Sequence, residues 1–123
     1  MKYYTFRQNN PRGRWQTNVP LILSIQAESL AHAQIIGENV TGNNTDYCAC
    51  CGGYRWDWLR ADEVADEPTY DNKVLTAGLT KAELYGGYEY ASGRVSYDFW
   101  VVDSQGCIKL KVSYSRGEVA TLG

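Results

Sequence analysis

Hydrophobic and polar positions alternate over two stretches near the start of the chain. Tyr4 and Phe6 fall on one side and Tyr3, Thr5 and Arg7 on the other, the period of two that marks a strand. Val19, Leu21, Leu23 and Ile25 share a face between Val19 and Gln26, which predicts a second strand. The segment between them, Gln8-Asn9-Asn10-Pro11-Arg12-Gly13-Arg14-Trp15, is dense in turn formers and predicts a long loop. The period then changes. Leu30, Ala33, Ile36, Gly37 and Val40 recur at helical spacing, with Ser29 as N-cap and Gly42 as the stop.

From Asn43 to about Leu79, Gly, Asn, Cys, acidic residues and Pro68 predict loops, with one short strand over Tyr54 to Leu59. A structureless stretch of that length is unusual in a compact domain and points to function or to a metal tie. Thr80-Lys81-Ala82-Glu83 has the form of a capping box and opens one or two helical turns before Gly86-Gly87. The remainder predicts a meander. Tyr88 to Tyr90 meets Val95 to Val102 through Ala91-Ser92-Gly93, and Cys107 to Tyr114 returns through Asp103-Ser104-Gln105-Gly106. Ile108, Leu110 and Val112 alternate against Lys109, Lys111 and Ser113, so one face of the last strand is wet. Together these elements predict an α+β fold: a mostly antiparallel sheet, one main helix packed on it, and a long Cys-containing loop. With 123 residues there is room for one domain, residues 1–123, around a modest core.

Composition narrows the classes. Hydrophobic residues make up 44%, enough for a core, yet no apolar run approaches the ~20 residues that span a bilayer. Met1 to Arg7 lacks the apolar region of a signal peptide. The expectation is a cytosolic protein with no membrane partner and reduced thiols, whose cysteines are not a disulfide framework. Ten Tyr and four Trp against two Phe suit half-buried sheets, interfaces and stacking surfaces. The net charge of −2 hides an asymmetry. Lys2, Arg7, Arg12 and Arg14 open the chain with no acid among them, whereas Asp57, Asp62, Glu63, Asp66, Glu67 and Asp71 face Arg60 alone. The acidic run predicts a solvated polar loop. Without a basic excess, duplex nucleic acid is disfavoured as a partner.

Three of the four cysteines cluster in Cys48-Ala49-Cys50-Cys51-Gly52-Gly53. Cys48 and Cys51 have zinc-knuckle spacing, and a closed tetrahedral site would draw its other ligands from Cys50, Cys107, His32 or Asp46. The alternative is a set of reduced thiols packed as small apolar groups. A redox pair is disfavoured, because its reactive thiol opens a helix and Gly52-Gly53 is a poor helix start. His32 is the only His and sits at the edge of the helix's apolar face; no paired carboxylates, phosphate loop or metalloprotease helix accompanies it. The expectation is a non-enzyme.

Basic and aromatic residues interleave twice. Arg7, Arg12, Arg14 and Trp15 flank the Asn-rich loop, and Tyr54, Arg55, Trp56 and Trp58 follow the thiol turn. Guanidinium forks bind phosphate and aromatic faces stack on bases, which suits a nucleotide-like small molecule or a single strand. Gln8, Asn9 and Asn10 would read base or ribose edges. The alternative is that Asn9, Asn10 and Gly13 build the loop while Trp15 and Trp56 anchor it to the core. The candidate ligand-binding set is Arg7, Gln8, Asn9, Asn10, Arg12, Arg14, Trp15, Tyr54, Arg55 and Trp56.

Tyr3-Tyr4-Thr5-Phe6-Arg7-Gln8-Asn9-Asn10 with Gly13, Ala27-Glu28-Ser29 before the helix, and Asp46-Tyr47-Cys48-Ala49-Cys50-Cys51-Gly52 with Arg55-Trp56 resemble a family of small uncharacterised tailed-phage proteins. Those proteins open with an aromatic-Thr-x-x-Gln-Asn-Asn stretch, and an Asp-Cys-x-Cys-Cys-Gly-x-Arg-Trp motif follows their helix. The resemblance covers the first half; Gly53 is an extra residue in the motif, and residues 76–123 have no counterpart in it. It implies a phage gene expressed in the cytoplasm of an infected bacterium and carries no activity with it. Small phage proteins without catalytic residues commonly act by binding, so the expected function is antagonism of a host defence by sequestering a nucleotide-like signal. The alternatives are an inhibitor that binds a host protein, through the acidic segment or an exposed sheet edge, and a zinc-stabilised structural or nucleic-acid-associated module. Either could form a homo-oligomer.

Overall fold

A computed structural model describes residues 1–9, 18–42, 47–48, 53–85, 97–114 and 120–122. The chain runs β1 (Lys2–Arg7), β2 (Ile22–Ala27), α1 (Leu30–Thr41), β3 (Tyr47–Cys48), β4 (Gly53–Tyr54), β5 (Glu63–Ala65), β6 (Thr69–Tyr70) and β7 (Lys73–Val74). It continues through α2 (Lys81–Tyr85), β8 (Tyr97–Val102), β9 (Ile108–Tyr114) and β10 (Ala120–Leu122). Six strands form one sheet in the order β10-β9-β8-β2-β1-β5, antiparallel except between β2 and β8. This is the α+β arrangement the sequence predicts: a mostly antiparallel sheet carrying one main helix. The parallel pair was not foreseen; a hairpin cannot join parallel strands, so the chain crosses over between them and leaves α1 on the way.

The sheet is covered on both faces. On one, α1 and the turn from Trp56 to Ala61 pack over Phe6, Leu23, Ile25, Trp100 and Val102. On the other, Leu75, Leu79 and Leu84 pack over Ile22, Phe99, Val101 and Val112. Tyr114 closes that second layer by donating its hydroxyl to Leu79 O at 2.6 Å, and burial pushes its pKa up to about 12. Between the layers Thr5 and Ser24 face each other across β1 and β2 and share a hydroxyl hydrogen bond of 2.8 Å, so neither buried polar group is orphaned.

Local signals hold where the partners are close in sequence. Ser29 Oγ accepts from His32 N, and Gly42, at φ 80°, ends α1 by donating its N–H to Glu38 O. Thr80 and Glu83 make the reciprocal capping box: Glu83 N donates to Thr80 Oγ1, and Thr80 N donates to Glu83 Oε1. Asp103 Oδ1 accepts from the N–H groups of Gln105 and Cys107, and Gly106 supplies the left-handed residue of the β8–β9 turn.

Elsewhere the structure corrects the pattern. Leu21 packs in the second layer with Ile22, apart from Val19, Leu23 and Ile25. The reason is that β2 is central and buried on both faces, so apolar residues stand on both sides and alternation loses its meaning. The acidic run is not simply a loop. Glu63 to Ala65 form β5, the edge strand beside β1, where charged side chains discourage a further strand from adding. Within Tyr54 to Leu59 only Tyr54 belongs to a strand, because Trp56 and Trp58 both turn into the core. A register shift between Val101 and Val102 sets Ile108 opposite Val102, so Ile108 leaves the face of Leu110 and Val112 and lies toward α1.

The β6–β7 hairpin turns on Asp71 and Asn72, both at positive φ, as a right-twisted two-residue hairpin requires. The Glu63 carboxylate accepts from the N–H groups of both and ties the hairpin to the sheet edge. The predicted loop from Asn10 to Trp15, the turn at Gly86-Gly87 and the strand from Tyr88 to Tyr90 lie outside the described residues. Among those described, no helix is long and apolar enough to cross a membrane.

Candidate functional site

The exit of β1 and the segment after β4 are stitched together by main-chain bonds. Asn9 N donates to Arg55 O at 2.7 Å, and Asn9 Nδ2 donates to Tyr54 O at 2.9 Å. Six residues on, Asp62 N donates to Thr5 O at 2.8 Å, and Asp62 Oδ2 accepts from Arg7 N at 2.8 Å. The chain between Tyr54 and Asp62 is therefore pinned to β1 at both ends. Trp56 and Trp58 point inward from it, stacked with ring centroids 5.3 Å apart, while Asp57 and Arg60 stay outside. Asp57 Oδ1 accepts from Leu59 N, which shapes the turn.

Six of the predicted ligand-binding residues come together here, and they divide by burial. Gln8, Arg55 and Trp56 are interior. Gln8 bridges three elements: its N–H donates to Leu21 O, its Nε2 to Pro20 O, and its Oε1 accepts from Arg55 Nη1 at 3.3 Å. These three side chains form the frame of the site. Asn9 and Tyr54 are exposed, and Arg7 is half-buried with its Nη1 donating to the Tyr70 hydroxyl at 3.3 Å. Asn10, Arg12, Arg14 and Trp15 lie outside the described residues.

Next to the pinned segment is a polar recess of about 170 Å³ lined by Phe6, Arg7, Asn9, Asp57, Arg60 and Asp62. Burial raises the pKa of Asp62, against the opposing pull of the Arg7 N–H and the Arg7 charge. Asp57, Arg60 and Asp62 were missed in the sequence because the acidic run looked like a solvated loop. The alternation of Trp56 and Trp58 against Asp57 was the available signal: two indoles pulled inward leave the residue between them outside.

The candidate metal ligands are scattered. Cys48 pairs with Gly53 in the β3–β4 hairpin, so residues 49–52 connect its two strands. Cys48 is described by its backbone, and Asp46, Cys50 and Cys51 lie outside the described residues. Cys107 is exposed in the β8–β9 turn. His32 lies in the first turn of α1, with Nδ1 accepting from Glu28 N at 3.2 Å. Among the described residues no three His, Cys, Asp or Glu side chains gather to hold a metal ion.

Residues 1–102 match one family, described as Domain of unknown function (DUF7296). The chain belongs to that family. The DUF7296 span runs from β1 through β8 and so includes the pinned segment, the polar recess and the cysteine hairpin. It extends well past the first half of the chain, the part that carries the motifs resembling phage proteins. Neither the curated proteins nor the solved structures include a match to this chain.

Proposed function

We propose that this DUF7296 chain is a non-enzymatic, phage-encoded protein that binds a nucleotide-like ligand at the polar recess and so antagonises a bacterial defence signal in the cytoplasm of the infected cell. The observation that carries the proposal is the grouping of Arg7, Asn9, Asp57, Arg60 and Asp62 around one recess, beside the exposed ring of Tyr54. Each group has a matching partner on a nucleotide. Guanidinium groups take phosphate oxygens, carboxylates accept from ribose hydroxyls, and a tyrosine ring stacks on a base. A volume of about 170 Å³ suits the sugar-phosphate part, which leaves the base on the surface against Tyr54. The buried Gln8–Arg55 pair and the stacked Trp56 and Trp58 supply a rigid floor, so little ordering is left for the ligand to drive.

The test is a thermal-shift screen of the purified protein with linear and cyclic nucleotides, in which a binder raises the melting temperature with concentration. Arg60 is exposed, so Arg60→Ala should weaken binding by about 1.5–3 kcal/mol and leave the unliganded melt almost unchanged. No shift with any nucleotide, together with a stable complex with a host protein, would move the assignment to the protein-inhibitor alternative.

The pairing of Cys48 with Gly53 favours a second reading, a zinc-stabilised module, because a hairpin carrying Cys48 and Cys51 about its connection has the layout of a zinc knuckle. In that case Cys48→Ser and Cys51→Ser should harm stability more than Cys50→Ser, and a chelator should lower the melt. Protein purified under reducing conditions with no stoichiometric metal by elemental analysis would remove it.

A further inference from the structure

We propose that this chain forms a two-fold symmetric dimer through its α1 face, with Leu59 of each copy seated in an apolar recess of the other. The recess lies between α1 and the β8–β9 turn. It has a volume of about 450 Å³, ample for a branched aliphatic side chain, and its apolar walls are Ile36, Val40, Trp100 and Ile108. The bulge at Val101/Val102 turns Ile108 to this side, where it is 44% exposed. Trp100 is a wall that is itself buried, and its Nε1 has no hydrogen-bond partner among the described residues. A backbone carbonyl brought in with a docking turn would satisfy that donor.

Leu59 supplies the complementary knob. It stands 75% exposed at the tip of the turn between Trp58 and Arg60, the largest exposure of any large hydrophobic side chain described. Its turn belongs to the other flank of α1: Trp58 lies against Gly37, whereas the recess is lined by Ile36 and Val40. The same face thus carries a knob on one side of the helix and a hole on the other. Between them, on the outer surface of α1, stands Ile35, 60% exposed and about opposite the buried stripe of Ala33, Ile36 and Gly37.

A two-fold axis through Ile35 exchanges the two flanks, so one rotation places both knobs in both holes. Such an isologous contact closes on itself and leaves no free knob to propagate a fibre. Charge agrees with this pairing. Asp57 and Asp62 flank Leu59, and Lys111 lies over the Trp100 ring at 4.7 Å, so acidic turn meets basic rim; Arg60 on the turn and the Lys109–Asp103 pair at the rim reduce this contrast without reversing it. The proposal stands on this surface alone and is independent of the nucleotide recess.

Sedimentation of the purified full chain without ligand tests it. The expected particle has twice the 13.8 kDa chain mass and dissociates on dilution. Leu59→Asp and Ile108→Asp should each yield a monomer with an unperturbed melt, since both side chains are exposed. Val64→Asp, on the exposed β5 edge, should remain dimeric. Ile35→Asp and Ile35→Lys should each be monomeric alone and form a dimer when mixed, which only a residue at the two-fold axis does. A wild type monomeric at every concentration, a dimer that survives Leu59→Asp and Ile108→Asp, dissociation by Val64→Asp, or a mixture that stays monomeric would each overturn the proposal.

Discussion

The backbone of α1 at Gly37 lies against the Trp58 indole so closely that a Cβ on Gly37 would come 2.4 Å from Trp58 Cζ3. Trp58 cannot easily retreat. Its ring stacks on Trp56 and meets Phe6 edge-on with centroids 4.9 Å apart, and Phe6 is fixed in β1. This one contact therefore sets how near the helix sits to the pinned segment that carries the candidate site.

Gly37→Ala should destabilise the protein even though Ala is the better helix former. The gain in helix propensity is about 1 kcal/mol, and overpacking a filled core costs about 1–3 kcal/mol. A net loss of about 1–2 kcal/mol in urea unfolding is expected. A neutral or stabilising result would place Trp58 somewhere else.

Arg55 and Arg60 should behave as opposites. Arg55 is buried and bonded to Gln8, so Arg55→Ala strips a donor from an interior acceptor and should cost about 2–3 kcal/mol of stability. Arg55→Lys should not rescue it, because an ammonium does not replace a planar fork. Arg60→Ala should leave the melt nearly in place. Equal effects of the two alanine variants on unfolding would contradict the division between frame and rim.

Asp98 should make stability fall as pH rises. Its carboxylate is buried in β8, where Oδ1 accepts from Leu21 N, and Lys111 is the nearby cation. Burial raises its pKa from 3.8 to about 7, more than Leu21 N–H and Lys111 lower it. Across that window the folded chain keeps a proton that the unfolded chain has released, so stability declines from 3.8 toward about 7 and is flat above. The exposed carboxylates of Asp66, Glu83 and Asp103 are held below their ordinary values, and their contribution is lost on acidification instead. The difference in melting temperature between wild type and Asp98→Asn isolates the buried group. A difference that does not vary with pH would show that Asp98 titrates as an exposed residue.

Asn72 holds a left-handed conformation at φ 63° in the β6–β7 turn. Asn72→Ala should cost about 1 kcal/mol, the steric penalty of a Cβ there, while Asn72→Gly keeps the turn and its N–H bond to Glu63. Circular dichroism melts of the two variants separate these outcomes; if both are equally unstable, the side chain rather than the backbone angle matters.

Much of the local structure was legible in the sequence. The alternation of Tyr4 and Phe6, the Ser29 and Gly42 caps of α1, the capping box of Thr80 and Glu83 and the Asp103 turn all satisfy their bonds within a few residues. So did part of the candidate site: the two groups around Gln8 and Arg55 do meet. The burial that assigns Arg55, Gln8 and Trp56 to the frame, and the place of Asp57, Arg60 and Asp62 on the recess, did not show.

The chain by itself determined which segments become strand, helix and turn, because those choices rest on backbone groups and side chains that are neighbours along it. The tertiary structure alone decided which side of β2 takes Leu21, that β8 joins β2 in parallel, and that part of an acidic run becomes the edge of the sheet. Those outcomes turn on contacts such as Leu21 N to Asp98, 77 residues apart, and Arg7 N to Asp62, 55 apart. Whether such contacts form depends on the summed burial of every element between them, and no short stretch of sequence carries that sum.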